Sequence, residues 1–397
     1  MKLKLIKSSL KGIIDAEPSK SYAHRFIIGA SLTKGEVIID NITLSEDIKA
    51  TLKCIRNLGK DYRYENNSLT IFDSNDKGVI YDCKESGSTL RFFIPLSLVF
   101  NDHVFFRGSS KLLSRGIDGY DVIFKDNDIK IDIKDNNIIL DGKFNNNVFR
   151  VDVSKSSQYL TGLLFALPLL PYDSNIIIDG NLQSVEYIDI TLDVLSKFNI
   201  EIKKTKDGYF IKGNQHYIGT CFEVEGDYSN ASFFAAFNYL GNDIIINKLK
   251  EDSLQGDKKY IEYFKLLSTS CPSLDISNCI DLGPVLFVFA SIFNGATFTG
   301  TKRLILKESN RIEAIVNELS KINVKAKINE DEVIIYKSIL KAPTTFFDSH
   351  NDHRIVMALS ILSSLFDIEI DNYEAINKSY PDFFKMIEKL GGKVIYE

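Results

Sequence analysis

Six short polar clusters divide the chain, and an apolar segment follows each one. The clusters begin at residues 18, 85, 154, 225, 280 and 349, and the segments that they open are FIIGASL, FFIPLSLVF, LLFALPLL, FFAAFNYL, VLFVFASIF and IVMALSILSSLF. Most clusters are rich in Ser, Thr, Asp, Asn and Gly, which favour helix N-termini. The pattern therefore predicts six helices that each begin in a polar cluster and are otherwise buried.

The clusters recur at a nearly fixed spacing. Successive starts lie 67, 69, 71, 55 and 69 residues apart. A recurring unit of this kind is typical of an internally repeated architecture. Six units in 397 residues predict two domains of three units each.

The sequence between the clusters predicts strands and a second type of helix. Alternating segments rich in β-branched residues, with Asp-Gly or Asp-Asn turns, predict strands at GEVIIDNI (35), NSLTIF (67), DIKIDIKDNNIILDG (128), SNIIIDG (174), DGYFIKG (207) and DEVIIYK (331). Segments near residues 45, 188, 308 and 381 are apolar on one face only, which indicates amphipathic helices. The fold class predicted from these elements is α/β (α+β).

Composition narrows the class of protein. The net charge of −5 argues against general nucleic-acid binding, which usually requires a basic surface. No apolar run reaches the roughly 18 residues of a membrane span, and the basic start is not followed by the apolar core of a secretory signal. Five scattered cysteines without a C-x-x-C pair indicate reduced thiols, and no metal motif is present. We therefore expect a cytoplasmic protein with no metal, no nucleic-acid partner and no membrane partner.

Positive charge is concentrated in the clusters of this acidic chain. The cations are Lys20, Arg25, Arg91, Lys155 and Arg354. A helix start already carries a partial positive charge from its unpaired N–H groups, so a cation there is unfavourable unless an anion compensates it. Any single cluster can be an ordinary helix cap, but the set together predicts a site for anionic ligands.

Eight motifs resemble those of one enzyme family. They are PSKSYAHR, ESGSTLR, SKSSQYLTG, YIDITL, EGDYS, KESNR, NDHR and KSYPDFF. The chain resembles the 3-phosphoshikimate 1-carboxyvinyltransferases, or EPSP synthases, from about residue 5 to its last residues. The resemblance implies a two-domain inside-out α/β barrel, with three βαβαββ-type repeats around buried helices in each domain. It also implies domain limits of 15–226 and of 1–14 plus 227–397, with hinges near 14–18 and 225–228.

The resemblance also implies a reaction. Members of the family transfer the enolpyruvyl group of phosphoenolpyruvate to the 5-hydroxyl of shikimate 3-phosphate and release phosphate, by addition and elimination through a tetrahedral ketal. This is a step of chorismate and aromatic amino acid biosynthesis. It implies these two small-molecule partners, no cofactor, and domains that close over the substrates. No coiled coil or long amphipathic stretch suggests obligate assembly, so we expect a monomer.

Three residues resemble the catalytic groups of the family. Asp281 in CIDLGP resembles the aspartate that takes the proton of the 5-hydroxyl. Lys20 in PSKSYAHR and Glu308 in KESNR are both candidates for proton transfer at the methylene carbon, and the sequence does not decide between them.

Other matching positions imply substrate contacts. The residues implied to bind shikimate 3-phosphate are Lys20, Ser21, Arg25, Ser156, Ser157, Gln158, Ser184, Tyr187, Asp281 and Lys307. Those implied to bind phosphoenolpyruvate are Lys20, Gly87, Arg115, Gln158, Arg311, Arg354 and Lys378. Gly87 would let the backbone approach a phosphate closely, and arginine suits such sites because its planar fork pairs bidentately with carboxylate or phosphate.

Further residues are expected to have supporting roles, and two rival functions stay open. We expect Arg91 to be structural, His353 to orient Arg354, and Asp47 and Asp227 to be caps or hinge residues.

One rival function is that of the sister transferase that acts on UDP-N-acetylglucosamine, although the stretch RGSSKLLSRGIDGY lacks the cysteine of that enzyme's mobile loop. The other is a protein that binds polyanions without catalysis.

Overall fold

The chain divides into two units. A computed structural model describes residues 1–180, 182 and 184–397. The middle unit is Pro18–Glu225, and the outer unit combines Met1–Glu17 with Gly226–Glu397. Strands β1 (Lys2–Ile6) and β2 (Lys11–Asp15) therefore belong to the outer unit, although they begin the chain.

The middle unit contains three repeats of one β–α–β–α–β–β pattern. Its elements are α1 (Lys20–Leu32), β3 (Val37–Asp40), α2 (Glu46–Ile55), β4 (Leu58–Glu65), β5 (Ser68–Lys77), β6 (Ile80–Asp82), α3 (Gly87–Phe100), β7 (His103–Arg107), α4 (Ser110–Ser114), α5 (Asp121–Asp126), β8 (Lys130–Lys134), β9 (Asn137–Asp141), β10 (Val148–Asp152), α6 (Gln158–Ala166), β11 (Ser174–Asp179), α7 (Val185–Lys197), β12 (Ile202–Lys204), β13 (Gly208–Ile211) and β14 (Cys221–Glu223). The first repeat takes its first strand, β14, from the end of the unit.

The three sheets of the middle unit share one topology. Their strand orders are β14-β3-β5-β4, β6-β7-β9-β8 and β10-β11-β13-β12. In each, the first two strands are parallel and the remaining pairs are antiparallel. The repeat predicted from the cluster spacing is therefore a structural repeat.

The outer unit contains the same pattern with one shortened repeat. Its further elements are α8 (Tyr228–Asn238), β15 (Asp243–Asn247), α9 (Tyr260–Thr269), β16 (Ser273–Asp275), α10 (Gly283–Ile292), β17 (Gly295–Thr299), α11 (Arg311–Ser320), β18 (Ala326–Ile328), β19 (Glu332–Tyr336), β20 (Phe347–Asp348), α12 (His353–Ser360), β21 (Ile368–Asp371), α13 (Phe383–Lys389) and β22 (Lys393–Tyr396). Two sheets have the four-strand order, β16-β17-β19-β18 and β20-β21-β1-β22, and the third contains only β15 and β2.

The shortened repeat explains the irregular spacing of the clusters. Between β15 and β16 the described residues 248–272 contain a helical turn and α9 but no hairpin. The fourth and fifth clusters are therefore 55 residues apart, whereas the other spacings are 67 to 71.

The six predicted helices are the buried helices of the two units. Helices α1, α3 and α6 lie in the core of the middle unit, and α8, α10 and α12 lie in the core of the outer unit. In α10 every residue from Gly283 to Ser291 is buried, as expected for a helix that is apolar on all sides. The predicted amphipathic helices are α2, α7, α11 and α13, and the α/β class is confirmed. Helix α9 was not predicted.

The described residues contain neither a helix that could span a membrane nor a cluster of metal ligands. Within them, no helix combines the length and the apolar character needed to cross a membrane. In the same residues, no group of three or more His, Cys, Asp or Glu side chains is placed to hold a metal ion.

Candidate active site

Arg25, in α1, joins this helix to α7 in the middle unit. Its Nε donates to Thr191 Oγ1 at 2.8 Å, its Nη1 to the Ser21 carbonyl at 2.7 Å, and its Nη2 to the Tyr187 carbonyl at 3.0 Å. Burial lowers the pKa of Arg25 to about 10, so the guanidinium stays charged at neutral pH. The structure thus brings together Ser21, Arg25 and Tyr187, which the family resemblance assigns to one ligand.

Gln158, the first residue of α6, is held by the neighbouring buried helix. Its Oε1 accepts a hydrogen bond from Arg91 Nη1 at 2.7 Å, and its Nε2 donates to Ser88 Oγ at 2.9 Å. Arg91 is 5% exposed, and its guanidinium lies 5.2 Å from the centre of the Tyr159 ring. Arg91 therefore has the structural role expected of it, because it orients the amide of Gln158.

Gly87 and Arg115 lie against each other. A Cβ atom on Gly87 would be 3.2 Å from both terminal nitrogens of Arg115, closer than ordinary contacts allow. Glycine therefore lets this guanidinium lie directly against the first turn of α3, whereas a Cβ atom would make it shift by a few tenths of an ångström. The arrangement places a cation beside the N–H groups of a helix start, where both would attract an anion.

Lys20 opens α1 and is paired with a carboxylate. Its Nζ lies 2.9 Å from Asp47 Oδ2. Asp47 was expected to be a cap or a hinge residue; the cap is wrong, because Ser45 caps α2 by accepting from the Ile48 N–H, and the hinge role stays a prediction. Asp47 is instead the counter-ion of Lys20.

Serines stand directly before two helices of the middle unit. Ser156 and Ser157 precede α6, and the Ser156 hydroxyl accepts from the Gln158 N–H at 3.3 Å. Ser184 precedes α7 with a φ of 56°, in the left-handed region. A non-glycine residue in this region costs on the order of 1–3 kcal/mol and is found preferentially at functional sites. The position of Ser184 is therefore consistent with its assignment to the site.

His24 lies behind these helix starts in a buried chain of hydroxyl groups. Its Nδ1 is 2.8 Å from Thr51 Oγ1, which is 2.8 Å from Thr89 Oγ1, and Thr89 in turn donates to Ser86 at 2.7 Å. The chain links α1, α2 and α3. Burial, with Lys20 and Arg25, holds the pKa of His24 well below its ordinary value, so the ring is neutral in the folded protein.

The neutral His24 predicts a loss of stability in mild acid. Below a pH of about 6.5 the unfolded chain binds a proton at this residue while the folded chain does not, so stability falls as pH falls. Each unit of pH below that point removes up to about 1.4 kcal/mol. Urea unfolding between pH 7 and 5 should show a shallower dependence in His24→Gln than in the unchanged protein. His216→Gln, at an exposed position, is the control, and equal slopes in all three proteins would contradict the assignment.

Asp281 is the acceptor of three cations in the outer unit. Its Oδ1 accepts from Arg311 Nη1 at 2.8 Å and lies 3.0 Å from Lys307 Nζ, and its Oδ2 accepts from Arg354 Nη2 at 3.2 Å. Burial alone would raise the pKa of Asp281, but Arg354, Lys307 and Arg311 together hold it well below the ordinary value. The structure thus brings four residues predicted from the sequence into one cluster.

Arg311 is the centre of that cluster. Its side chain is 1% exposed and also contacts Glu308 Oε2 at 2.7 Å and Asp352 Oδ2 at 2.8 Å. The burial of Arg311 shows that its i,i+3 pair with Glu308 is not an ordinary exposed ion pair. Burial would lower the pKa of Arg311, but Asp352, Glu308 and Asp281 raise it above its ordinary value.

Asp352 is a residue of the site that the sequence analysis missed. It is completely buried, accepts from the Arg354 N–H at 2.9 Å as the cap of α12, and accepts from Ser309 Oγ at 3.0 Å. The same carboxylate binds Arg311. The signals in the sequence were its place in the motif NDHR and before the apolar run of α12, which predict the cap and not the contact with α11.

The remaining predicted residues of the outer unit have other partners. Arg354 Nη1 donates to Ser229 near the start of α8. Lys378 Nζ donates to the Asn351 carbonyl at 2.7 Å. Asp227 caps α8 by accepting from the Asn230 N–H at 2.9 Å, as expected. The buried His353 has its Nδ1 3.8 Å from Asp352, and its expected role toward Arg354 remains a prediction.

The comparisons with known proteins agree in one family. The family model described as EPSP synthase (3-phosphoshikimate 1-carboxyvinyltransferase) matches residues 5–387. A 3-phosphoshikimate 1-carboxyvinyltransferase of Clostridium novyi is 40% identical over 424 residues, which cover 98% of this chain and 97% of the relative.

Solved structures show the same fold at lower identity. An EPSP synthase from Acinetobacter baumannii has a TM-score of 0.80 and 20% identity, with full coverage of both chains. The enolpyruvyl transferase NikO from Streptomyces tendae has a TM-score of 0.79 and 11% identity, covering all of this chain and 98% of its own. At these identities the likeness is one of fold.

Proposed function

The chain belongs to the EPSP synthase (3-phosphoshikimate 1-carboxyvinyltransferase) family, and we propose that it transfers the enolpyruvyl group of phosphoenolpyruvate to the 5-hydroxyl of shikimate 3-phosphate. Phosphate is the second product, and the reaction is a step of the shikimate pathway. The observation that carries the proposal is the cluster of Asp281, Lys307, Glu308 and Arg311, in which acids and cations alternate within hydrogen-bond distance.

The middle unit supplies anion-binding groups in this proposal. Ser21, Arg25, Ser156, Ser157, Ser184 and Tyr187 would hold shikimate 3-phosphate. Gly87 and Arg115 would hold the phosphate of phosphoenolpyruvate, and Gln158 would contact both substrates. The support is that these groups stand at or beside the starts of α1, α3, α6 and α7, where backbone N–H groups attract anions.

Asp281 would accept the proton of the attacking hydroxyl. A carboxylate that faces three cations is a weak base. However, Lys307, Arg311 and Arg354 are themselves proposed ligands of anionic substrates. When substrate phosphate or carboxylate engages these cations, their pull on Asp281 weakens and its pKa rises. Substrate binding would therefore activate the base at the moment it is needed.

The proposed reaction has two steps, an addition and an elimination. The 5-oxygen of shikimate 3-phosphate attacks the central carbon of phosphoenolpyruvate, its proton passes to Asp281, and the methylene carbon gains a proton to become a methyl group. The ketal then loses phosphate, and one methyl proton is removed to restore the double bond. Lys20 and Glu308 are the proposed groups for the methylene proton, and Arg311, Arg354 and Lys378 would balance the charge of phosphoenolpyruvate.

We propose that the protein works in the cytoplasm as a monomer, without cofactor or metal. The scattered cysteines and the acidic net charge support this setting. The molar mass of the purified protein, measured by light scattering, tests whether it is a monomer. A molar mass equal to that of two chains would contradict the proposal.

A methyl group at Gly87 should weaken the binding of phosphoenolpyruvate. The added Cβ would lie 3.2 Å from the Arg115 guanidinium and would push it a few tenths of an ångström away from the start of α3. We expect Gly87→Ala to raise the KM for phosphoenolpyruvate by roughly tenfold, the loss of about one charge-assisted hydrogen bond. The KM for shikimate 3-phosphate serves as the internal control and should stay unchanged. Equal changes in both KM values would show a general distortion instead.

The acceptor specificity tests the proposed function. Phosphate release is measured with phosphoenolpyruvate and either shikimate 3-phosphate or UDP-N-acetylglucosamine. Release that requires shikimate 3-phosphate supports the proposal. Release that requires the sugar nucleotide, or no release with either acceptor, would contradict it.

A further inference from the structure

A buried carboxylate of α11 that the proposed mechanism does not use holds the loop 349–352, which joins β20 to α12. Glu318 is 2% exposed. Its Oε2 accepts from the Asp348 backbone N–H at 2.9 Å, and its Oε1 lies 3.0 Å from Nε2 of His350. Lys321, at the end of α11, lies 2.6 Å from Oε2 and balances the charge. A buried carboxylate is costly unless it is paired and hydrogen-bonded, and two of these three partners lie at the start of the loop.

The backbone of this loop is strained. His350 and Asn351 have φ values of 52° and 54°, so two consecutive residues other than glycine are in the left-handed region. Such residues are uncommon and persist where surrounding contacts enforce the conformation. The Asp348 carboxylate accepts from the His350 backbone N–H at 2.7 Å, and the Ser349 hydroxyl accepts from the Asn351 backbone N–H at 3.1 Å. Glu318 adds a contact from a different helix, through the His350 ring.

The loop in turn restrains Lys378. The Asn351 carbonyl accepts from Lys378 Nζ at 2.7 Å. The Ser349 hydroxyl donates to the Asn372 carbonyl at 2.9 Å, directly before the helical turn Tyr373–Lys378. A lysine stem has many rotamers, so a contact at its end reduces the freedom of the ammonium. Because a carbonyl oxygen carries no net charge and an ammonium has three N–H donors, this contact aims Lys378 without cancelling its charge.

We propose that Glu318 is a positioning residue of the candidate site. By holding His350 it keeps Asn351 in the left-handed conformation, and the Asn351 carbonyl then aims the Lys378 ammonium. The geometry of these contacts is independent of the reaction, whereas the part of Lys378 in binding phosphoenolpyruvate rests on the proposed function. One test therefore needs no activity, and a second one does.

The first test compares crystal structures of the unliganded protein and its variants. In Glu318→Ala we expect His350 or Asn351 to leave the left-handed region and Lys378 Nζ to move beyond hydrogen-bond distance of the Asn351 carbonyl. The control is Glu313→Ala, at an exposed position of the same helix, in which both features should stay. An unchanged loop and an unchanged lysine contact in Glu318→Ala would overturn the proposal, whether or not the enzyme is active.

Two further variants separate the loop contacts from a general loss of folding. Glu318→Gln should keep the loop, because its amide has an acceptor for the Asp348 N–H and a donor for the His350 ring. If Glu318→Ala does not fold, His350→Ala replaces it, since that change removes the ring contact at a partly exposed position and leaves the buried carboxylate with Asp348 and Lys321. The same two features of the structure then decide the proposal.

The second test is the KM for phosphoenolpyruvate. Without the restraint the Lys378 ammonium samples other rotamers, so we expect Glu318→Ala to raise this KM roughly tenfold, the size of one charge-assisted hydrogen bond. Glu318→Gln should restore it to within a few-fold of the unchanged protein. The KM for shikimate 3-phosphate should not change, and equal rises in both KM values would overturn the proposed role.

A double-mutant cycle tests whether Glu318 acts through Lys378. If it does, adding Glu318→Ala to Lys378→Met should not raise the KM for phosphoenolpyruvate any further. A further rise by the same factor as in the single variant would show independent roles and overturn the proposal. If the unchanged protein releases no phosphate with any acceptor, the proposed function fails, and the crystal structures alone decide the role of Glu318.

Discussion

Arg311→Met should lower the free energy of unfolding by about 3–5 kcal/mol at neutral pH. Removal of one partner from a buried ion pair leaves the other charge unbalanced, which costs about this amount. Here one arginine serves Asp281, Glu308 and Asp352, and Asp352 is completely buried. Urea unfolding followed by circular dichroism at pH 7.5 measures the change.

The control is an exposed pair of similar composition. Arg150 lies 3.3 Å from Asp179, and both side chains are nearly half exposed, so Arg150→Met should change the free energy of unfolding by at most about 1 kcal/mol.

The loss of unfolding free energy in Arg311→Met should also become smaller as pH is lowered. In the unchanged protein Asp281 and Asp352 have lowered pKa values, so their stabilisation is present above a pH of about 3.8 and is lost below it. A deficit below 1 kcal/mol, or one independent of pH, would contradict the central place of Arg311.

Glu308→Gln should lower kcat by roughly 10²–10⁴-fold, the usual contribution of a general acid or base. The amide oxygen of glutamine can still accept the hydrogen bond from Arg311 Nη2, so the cluster should remain folded. The KM values should stay within a few-fold, because the change removes a proton-transfer group and no substrate cation. Steady-state kinetics with both substrates measure the effect.

A matched variant lies on the same helix. Glu313 is exposed on α11, and Glu313→Gln should leave kcat unchanged. A kcat of Glu308→Gln close to that of Glu313→Gln would remove Glu308 from the chemistry. Lys20 would then be the remaining candidate for the methylene proton, and Lys20→Met should show the large loss instead.

In the described residues, local sequence signals predicted ten of the thirteen α-helices but only seven of the twenty-two strands. Each buried helix combines a polar start with a continuous apolar run, and each hairpin combines alternation with a tight turn, so both can be recognised within about 15 residues. Helix α9 carried such a signal as well, since Tyr260, Tyr263, Phe264 and Leu267 lie on one buried face. It was missed because no polar cluster of the repeated type precedes it.

Pairings between distant residues could not be predicted in the same way. Strand β2 pairs with β15, more than 200 residues away, and β14 completes a sheet with β3. Neither strand has a distinctive pattern of its own, and tertiary packing decides where such segments pair.

For the candidate site, too, local motifs were informative and contacts between distant residues could not be predicted. Motifs indicated which side chains carry charge, and the structure places Asp281, Lys307, Glu308, Arg311 and Arg354 together as those motifs suggested. The contacts that connect them could not be predicted. Asp352 and Ser229 lie in the motifs NDHR and EGDYS, but their bonds to Arg311 and Arg354 depend on how α8, α11 and α12 pack. An Asp or Ser before an apolar run indicates by itself only a helix cap.

The central claim is enolpyruvyl transfer by addition and elimination, and the most direct test is the reaction in deuterium oxide. The purified protein is incubated with phosphoenolpyruvate and shikimate 3-phosphate, and the product is examined by NMR. We predict an enolpyruvyl ether at the 5-oxygen of shikimate 3-phosphate that carries deuterium in its vinyl group. The reason is that the methylene carbon becomes a methyl group by taking up one deuteron from a side chain whose protons have exchanged with the solvent. No ether, or an ether without deuterium in the vinyl group, would contradict this account.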